Sequence, residues 1–176
     1  VREMWRWGHD LIKTSSSGGI AGQHEELSWN NYTYEELKAI SEEAHGVGKK
    51  VSCHAYGAEA VKKAVLAGID TIEHGTLLDE EAIKMIKKRE VFLVPTLMVT
   101  SGIALSDIKA AGASEHQLKK ARIIAAQKES NLIKAHQAGV KIVTGSDTYT
   151  MLRWHWGKQA KELELMSTAG MSNMEC

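Results

Sequence analysis

Two short apolar runs, each carrying a histidine close to a glycine, constrain the fold of this chain more than any other feature. One run covers 51–57 and contains His54, and the other covers 71–75 and ends in His74-Gly75. Between them, 58–67 has the apolar periodicity of a helix. Two strands joined by one helix lie parallel and adjacent, because a parallel return needs a crossover of about this length. Their carboxyl ends share one edge of the sheet, so His54 and His74 are predicted to be neighbours.

The same alternation of strand and helix continues along the chain and predicts an α/β fold with parallel strands and helices packed outside them. The five predicted strands are 11–13, 51–57, 71–75, 91–97 and 141–147. Four of these strands carry a ligand-type side chain at or near the carboxyl end: Lys13, His54, His74 and Asp147. Barrel enzymes assemble their sites in this way, from the carboxyl ends of several strands.

Capping signals place the helices between these strands. Thr33 with Glu36, and Ser114 with Gln117, have the spacing of a capping box, and Asp79 precedes a further helical pattern. The segment 20–31, between the first strand and the first of these helices, is long enough to be an active-site loop.

The composition narrows the possible partners. The chain has 22 basic and 22 acidic residues among 176, so its charge gives no reason to expect nucleic acid or an anionic membrane as a partner. No apolar run is long enough to span a membrane. Two cysteines do not make a disulfide framework, and a reducing, cytoplasmic compartment is expected. The expected partner is a small-molecule or peptide substrate.

Imidazoles and a carboxylate at one sheet edge favour a metal site. Neutral imidazole suits zinc and related divalent ions, and a carboxylate can complete such a site while a position stays open for water. A metal makes hydroxide available near neutral pH, and an adjacent Asp can take or return its proton. For each histidine alone, the alternative is a buried side chain bonded to the backbone. For Lys13, the alternative is a solvated strand end.

The chain resembles the amidohydrolase superfamily in four motifs, which match the fourth, fifth, sixth and eighth strands of that family. They are Leu11-Ile12-Lys13, His54-Ala55-Tyr56-Gly57, Glu73-His74-Gly75 and Thr144-Gly145-Ser146-Asp147. The most similar subgroup is that of imidazolonepropionase-related and Xaa-Pro dipeptidase or zinc carboxypeptidase-like hydrolases. The resemblance covers nearly the whole chain.

This resemblance implies a distorted (β/α)8 TIM barrel with a centre of one or two divalent ions, zinc being the expected metal. Lys13 matches the lysine that is carboxylated to bridge two metals, and His54 and His74 match ligands of the second metal. Asp147 matches the ligand of the first metal that also acts as the catalytic proton shuttle. Tyr56 matches a position near the substrate, with a packed aromatic as the alternative. His155, in the loop after the last strand, is a further candidate for the substrate pocket.

One departure from the family pattern limits this reading. The first strand of the family carries a His-x-His pair, and this sequence contains none. Residues 1–176 are therefore expected to form a partial barrel, strands four to eight, that is truncated at both ends. A capping box at Ser172 and Glu175, just before the last residue, agrees with that expectation.

The expected function is that of a metal-dependent hydrolase in the complete protein, acting on an amide or peptide bond as a dipeptidase, a carboxypeptidase-like enzyme or a cyclic amidase does. The alternative is a non-catalytic half-barrel with an empty or partial metal site. A partial barrel leaves strand edges and an apolar inner face uncovered, so a homo-oligomer is expected.

Overall fold

The computed structural model describes residues 1–100, 108–110, 112–147 and 157–176. The strands are β1 (Leu11–Ser15), β2 (Lys50–Gly57), β3 (Thr71–Leu77) and β4 (Phe92–Val94). The main helices are α1 (Arg2–Arg6), α2 (Tyr34–His45), α3 (Ala58–Leu66), α4 (Glu80–Lys88), α5 (Glu115–Gln137) and α6 (Lys161–Thr168), with a 3₁₀ helix at Leu97–Thr100. Strands and helices alternate from β1 to β4, which confirms the predicted fold class.

The sheet is parallel, with four strands in the order β1-β2-β3-β4. The prediction of five strands is wrong for the described residues, because 141–147 joins β4 only through one parallel bridge, from Leu93 to Ile142. Pro95 explains the short β4, since proline has no N–H to donate to a ladder. Thr96 then turns the chain away from the sheet with a φ of 48°.

The two faces of the sheet have different surroundings. The outer face carries Ile12, Val51, Cys53, Ile72 and Leu93, which share one core with apolar residues of α2, α3 and α4. Each such side chain taken out of water contributes roughly 1.5–3 kcal/mol, so this layer supplies most of the stability. The inner face carries Leu11, Lys13, His54, Glu73 and Phe92, as strand alternation requires. It remains open, with Leu11 49% and Phe92 40% exposed.

The helices begin where the sequence predicts. Thr33 accepts a hydrogen bond from the Glu36 N–H, and the Glu36 side chain accepts one from the Thr33 N–H. Ser114 and Gln117 form the same reciprocal cap on α5. Asp79 caps α4 through the N–H of Ala82.

Strained backbone is concentrated at the carboxyl ends of the strand segments. Among the described residues, four non-glycine residues have a positive φ: His74 (73°), Glu90 (56°), Thr96 (48°) and Asp147 (47°). Such a conformation costs on the order of 1–3 kcal/mol and persists only where the surroundings enforce it. Three of the four follow the apolar runs of β3, β4 and 141–147, on the side of the sheet that holds the predicted site.

Helix α5 buries polar side chains as well as apolar ones. Lys120, 2% exposed, donates from Nζ to the carbonyls of Gly19 (2.7 Å), Gly22 (2.6 Å) and Glu25 (2.9 Å). Gln117 donates to the Ala21 carbonyl at 2.6 Å. Burial lowers the pKa of Lys120, although Glu25 and Glu26 raise it. These contacts fix the loop after β1, here called the 18–31 loop, onto α5.

Two further buried polar residues of α5 bind other strand ends. Lys128 donates to the Leu97 carbonyl at 2.8 Å, and Asn131 donates to the Thr76 carbonyl at 2.6 Å. The backbone after β1, β3 and β4 is therefore held by one helix. Neither α5 nor any other helix in the described part of the chain combines the length and apolarity of a membrane span.

The Thr33 cap can be tested by stability. Replacing Thr33 with Ala removes the acceptor for the Glu36 N–H, and we expect a loss of about 1 kcal/mol in the free energy of unfolding measured with urea. Thr33→Ser keeps the hydroxyl and is expected to cost much less. Equal losses for the two variants would contradict a capping role for this hydroxyl.

The Lys120 contacts can be tested by hydrogen exchange. Lys120→Met keeps the length of the side chain but leaves three carbonyls without their donor, and hydrogen bonds to charged groups contribute about 1.5–3 kcal/mol each. Amides of 18–31 should exchange at least about tenfold faster, which corresponds to about 1.4 kcal/mol of lost local stability. The exposed neighbour Lys119, changed to Met, is the matched control. Unchanged exchange in Lys120→Met would show that other contacts hold the loop.

Candidate active site

The centre of the candidate site is a pair of imidazoles from adjacent strands. His54 Nδ1 lies 2.9 Å from His74 Nε2, and the rings meet edge to face with their centroids 4.6 Å apart. The second nitrogen of each ring also has a partner. His54 Nε2 is 3.4 Å from the Gly18 carbonyl, and His74 Nδ1 is 2.6 Å from Thr96 Oγ1. The predicted neighbourhood of His54 and His74 is therefore found in the structure.

A backbone irregularity brings His74 to the inner side. Glu73 faces inward next to His54, so regular alternation would turn His74 outward. The positive φ of His74, followed by Gly75 at 53°, coincides with a shift of register between β2 and β3. Gly75 is required there, since a Cβ would lie 2.5 Å from Leu93 Cδ1. The strain thus directs the His74 ring toward His54.

Tyr56 packs against this pair and is 3% exposed. Its ring stacks on His74 with centroids 4.4 Å apart and an interplanar angle of 9°. It also meets His54 edge to face at 5.0 Å. Tyr56 is therefore a packed aromatic and at the same time part of the wall of a cavity.

This cavity has a volume of about 690 Å³, a size suited to a small molecule. Its lining includes His54, Tyr56, His74 and Asp147 together with part of the 18–31 loop. Apolar side chains, among them Val99, Ile108 and Ala113, also line it, so the cavity is of mixed polarity. Glu25 on the loop accepts a hydrogen bond from the Gly19 N–H at 2.9 Å.

Lys13 lies on the inner face in contact with an acid from two strands away. Its ammonium forms an ion pair with Glu73, and Thr71 Oγ1 donates to the same carboxylate at 2.7 Å. Asp147 is close enough to respond to both charges. Burial raises the pKa of Asp147, Lys13 lowers it and Glu73 raises it. Lys13, Glu73 and Asp147 therefore form one electrostatic group beside the imidazoles.

Both imidazoles are held in the neutral form. Burial is the main cause of the lowered pKa of His54, and the Lys13 charge lowers it further. The pKa of His74 is well below its usual value, because of burial and then of the nearby His54 and Lys13. A neutral ring with a bound second nitrogen is the form in which histidine binds a metal.

The geometry of the pair fits a divalent ion. Two nitrogens bound to one tetrahedral zinc at about 2.0–2.1 Å lie roughly 3.3 Å apart, so the pair would have to open by only a few tenths of an ångström. Gly18 and Thr96 supply the outer hydrogen bonds that metal-binding histidines usually make. Within the described residues, however, no group of three or more His, Cys, Asp and Glu side chains is placed to hold an ion.

The other predicted site residues are distributed as follows. Asp147 lines the same cavity as the histidine pair. The charge of Lys13 acts on Asp147 and lowers its pKa. His155 lies outside the described residues. Glu73, Thr96, Lys120 and Glu162 were not predicted from the sequence as site residues. A charged residue within the buried stripe of a helix, as at Lys120 and Lys128, is the signal that could have identified two of the buried residues.

Comparisons with known proteins match nearly the whole chain. The pattern of the amidohydrolase family matches residues 2–175. Ochratoxinase from Aspergillus niger is 31% identical over 180 aligned positions, which include 99% of this chain and 35% of that protein. Its crystal structure superimposes with a TM-score of 0.84 at 29% identity, covering 99% of this chain and 38% of that one.

Two solved peptidase structures are similarly close. A Xaa-Pro dipeptidase with bound methionine in its active site has a TM-score of 0.88 at 32% identity, covering 97% of this chain and 41% of that one. A prolidase complexed with N-methylphosphonate-L-proline has a TM-score of 0.89 at 32% identity, covering 99% and 41%. The chain thus spans about two fifths of the length of these structures, so its parallel sheet corresponds to part of a barrel. On the match over 2–175 and the four strand motifs, the chain belongs to the amidohydrolase family.

Proposed function

We propose that this chain forms part of a metal-dependent hydrolase that cleaves an amide or peptide bond in the complete protein. The observation that carries the proposal is the convergence of His54 Nδ1 and His74 Nε2, both from neutral rings, beside Asp147 in one cavity. The amidohydrolase family, to which the chain belongs, is generally metal-dependent. Zinc is the expected ion, because imidazole and carboxylate ligands suit it.

Each residue has a distinct role in this proposal. A bound divalent ion would supply Lewis-acid activation of water and of the scissile carbonyl. His54 and His74 would hold it, with their ring orientation fixed by Gly18 and Thr96. Asp147 would accept the proton of the attacking water and return it to the leaving amine. Burial raises the pKa of this carboxyl group above its usual value, which is the direction that helps a carboxylate to take up a proton.

Lys13 is proposed to become a metal ligand only after carboxylation by carbon dioxide. In the structure it presents an ammonium paired with Glu73, and an ammonium has no lone pair for a metal. We therefore expect mostly unmodified Lys13 in this chain. Intact mass measured after incubation with zinc and bicarbonate tests this, and a carbamate on Lys13 would contradict it.

The substrate proposal follows the relatives. Two structural neighbours are a Xaa-Pro dipeptidase and a prolidase, so a dipeptide or the carboxyl-terminal residue of a peptide is the proposed substrate class, with a cyclic amide as a further candidate. The mixed lining of the cavity supports such a substrate, since its apolar groups can contact a side chain and its polar groups can bind the amide. Tyr56 and His155 are the proposed substrate-binding residues.

A cytoplasmic location is proposed because both cysteines are free thiols.

Metal binding is the direct test of the proposal. His74→Ala should weaken zinc binding, measured by titration calorimetry, by more than the roughly 10–100-fold that loss of an outer hydrogen bond costs. His9, which precedes β1 at the opposite end of the strands, provides the control variant His9→Ala. Zinc binding that is unaffected by His74→Ala would show that His74 is a core histidine and would overturn the proposed site.

A second candidate function is that of a non-catalytic half-barrel that associates with another copy. The favouring observation is the open inner face, where Leu11 and Phe92 are 49% and 40% exposed. In a homodimer these side chains would leave water, at a gain of roughly 1.5–3 kcal/mol for each one fully buried.

Association can be measured by sedimentation of the chain at micromolar concentration. We expect a dimer or larger species, and Phe92→Asp should shift the population toward the monomer, because a charge in an apolar interface is costly. Leu66→Asp, on exposed surface outside the inner face, is the matched control. A stable, well-folded wild-type monomer would refute association through this face.

A further inference from the structure

The turn after β4 is held by a buried carboxylate from a distant helix. Glu162 of α6 is 0% exposed, and its two oxygens accept hydrogen bonds from the N–H groups of Leu97 (2.6 Å) and Met98 (2.8 Å). Lys128 donates to the Leu97 carbonyl from the other side, at 2.8 Å. Three polar contacts from two helices therefore converge on two consecutive residues.

This turn contains the partner of His74. Thr96 precedes Leu97, is 5% exposed and has a φ of 48°, which is unusual for a β-branched residue. A strained residue keeps such a conformation only where its surroundings enforce it, and the contacts on Leu97 and Met98 are those surroundings. The strain places Thr96 Oγ1 at 2.6 Å from His74 Nδ1.

A hydroxyl is suited to this position because it can both donate and accept. Without a metal, all three hydrogen bonds can form with one set of proton positions. Thr96 donates to His74 Nδ1, and His74 Nε2–H donates to His54 Nδ1. His54 Nε2–H then donates to the Gly18 carbonyl. A metal on His74 Nε2 needs the other tautomer, in which Nδ1–H donates to Thr96. The proton changes nitrogen and the hydroxyl rotates, so no net proton is gained or lost on the ring.

We propose that Glu162 is a positioning residue for His74, which acts by holding the 96–98 turn so that the Thr96 hydroxyl stays bound to His74 Nδ1 in both tautomers. Glu162 bonds to the backbone of the turn and is not among the residues that line the cavity. Burial, together with the Asp147 charge, raises the pKa of Glu162 to about 7, whereas the two N–H donors and Lys128 lower it. The role in metal binding rests on the proposed function, whereas the role in orienting the ring does not.

The experiment is a double-mutant cycle with two readouts. The variants are Glu162→Gln, Thr96→Val and the double variant, with Glu164→Gln on the exposed face of α6 as the matched control and Thr96→Ser as the variant that keeps the hydroxyl. The first readout is the tautomer of His74 in the metal-free chain, from its ring nitrogen chemical shifts. The second is zinc affinity.

We expect wild-type His74 to be a single Nε2–H tautomer and both single variants to give a mixture of tautomers. Each single variant should lose roughly 10–100-fold in zinc affinity, and the double variant should lose no more than the worse single one, because both act on one hydrogen bond. Thr96→Ser and Glu164→Gln should match the wild type. If Glu162→Gln is too unstable to fold, Lys128→Met should give the same changes to a smaller degree, because it removes the contact with the Leu97 carbonyl while both Glu162 oxygens keep their N–H donors.

Two results would overturn the inference. In the first, Thr96→Val changes the His74 tautomer and the zinc affinity, but Glu162→Gln leaves both as in the wild type. Where Lys128→Met replaces Glu162→Gln, the same pair of results with that variant counts equally. The other is additive losses of affinity in the double variant. Failure of the wild-type chain to bind zinc would overturn the proposed function alone, since the tautomer in the metal-free chain would still decide the role of Glu162.

Discussion

The parallel pairing of β2 with β3 is the constraint on which the candidate site depends. It brings the carboxyl ends of two strands together, and only a parallel pair does this for segments separated by one helix. Ser15, His54 and Glu73 lie in one row across β1, β2 and β3 as a result. The outer face stabilises this pairing through its apolar core with α2, α3 and α4. The candidate site residues therefore lie on the inner face and at the carboxyl ends of the strands.

The strand ends are strained, and buried polar groups hold them. His74 and Thr96 both have positive φ values, and their side chains bind each other at 2.6 Å. Buried charges on α5 and α6 supply the restraint, Lys128 and Glu162 at the 96–98 turn and Lys120 at the 18–31 loop. Desolvating such groups is costly, so each must be fully hydrogen-bonded to stabilise the fold. Buried polar side chains of α5 and α6 thus fix the backbone around the imidazoles.

The same architecture explains why the site has only part of a ligand set. Among the described residues, Leu11 and Phe92 of the inner face remain partly exposed, and Lys13 uses its charge to pair with Glu73. Among the described residues, only two imidazoles converge closely, although Asp147 shares their cavity. A site of this kind fits a chain that corresponds to about two fifths of a related barrel. The proposed association of two copies would cover the inner face of the sheet. Further strands that complete a barrel would cover the same face.

Sequence periodicity and capping signals determined most of the fold. They gave the order of strands and helices, the caps at Thr33, Asp79 and Ser114, and the pairing of His54 with His74. These features depend on local preferences and on the rule that parallel strands end at one edge, both of which can be read without coordinates. The prediction of 141–147 as a fifth strand was wrong for the described residues, because an apolar run does not reveal that β4, only three residues long, pairs with it through a single bridge.

Only the tertiary structure decided which polar residues are buried and what they hold. Lys120, Lys128 and Glu162 belong to helices whose charged residues are usually solvated, so composition alone would place them at the surface. Their acceptors and donors lie between 31 and 101 residues away in the chain. The left-handed backbone at His74 and Thr96 is equally invisible in the sequence, because it is enforced by contacts from other elements. The sequence therefore determined the identity of the candidate site residues, while long-range hydrogen bonds decided their orientation.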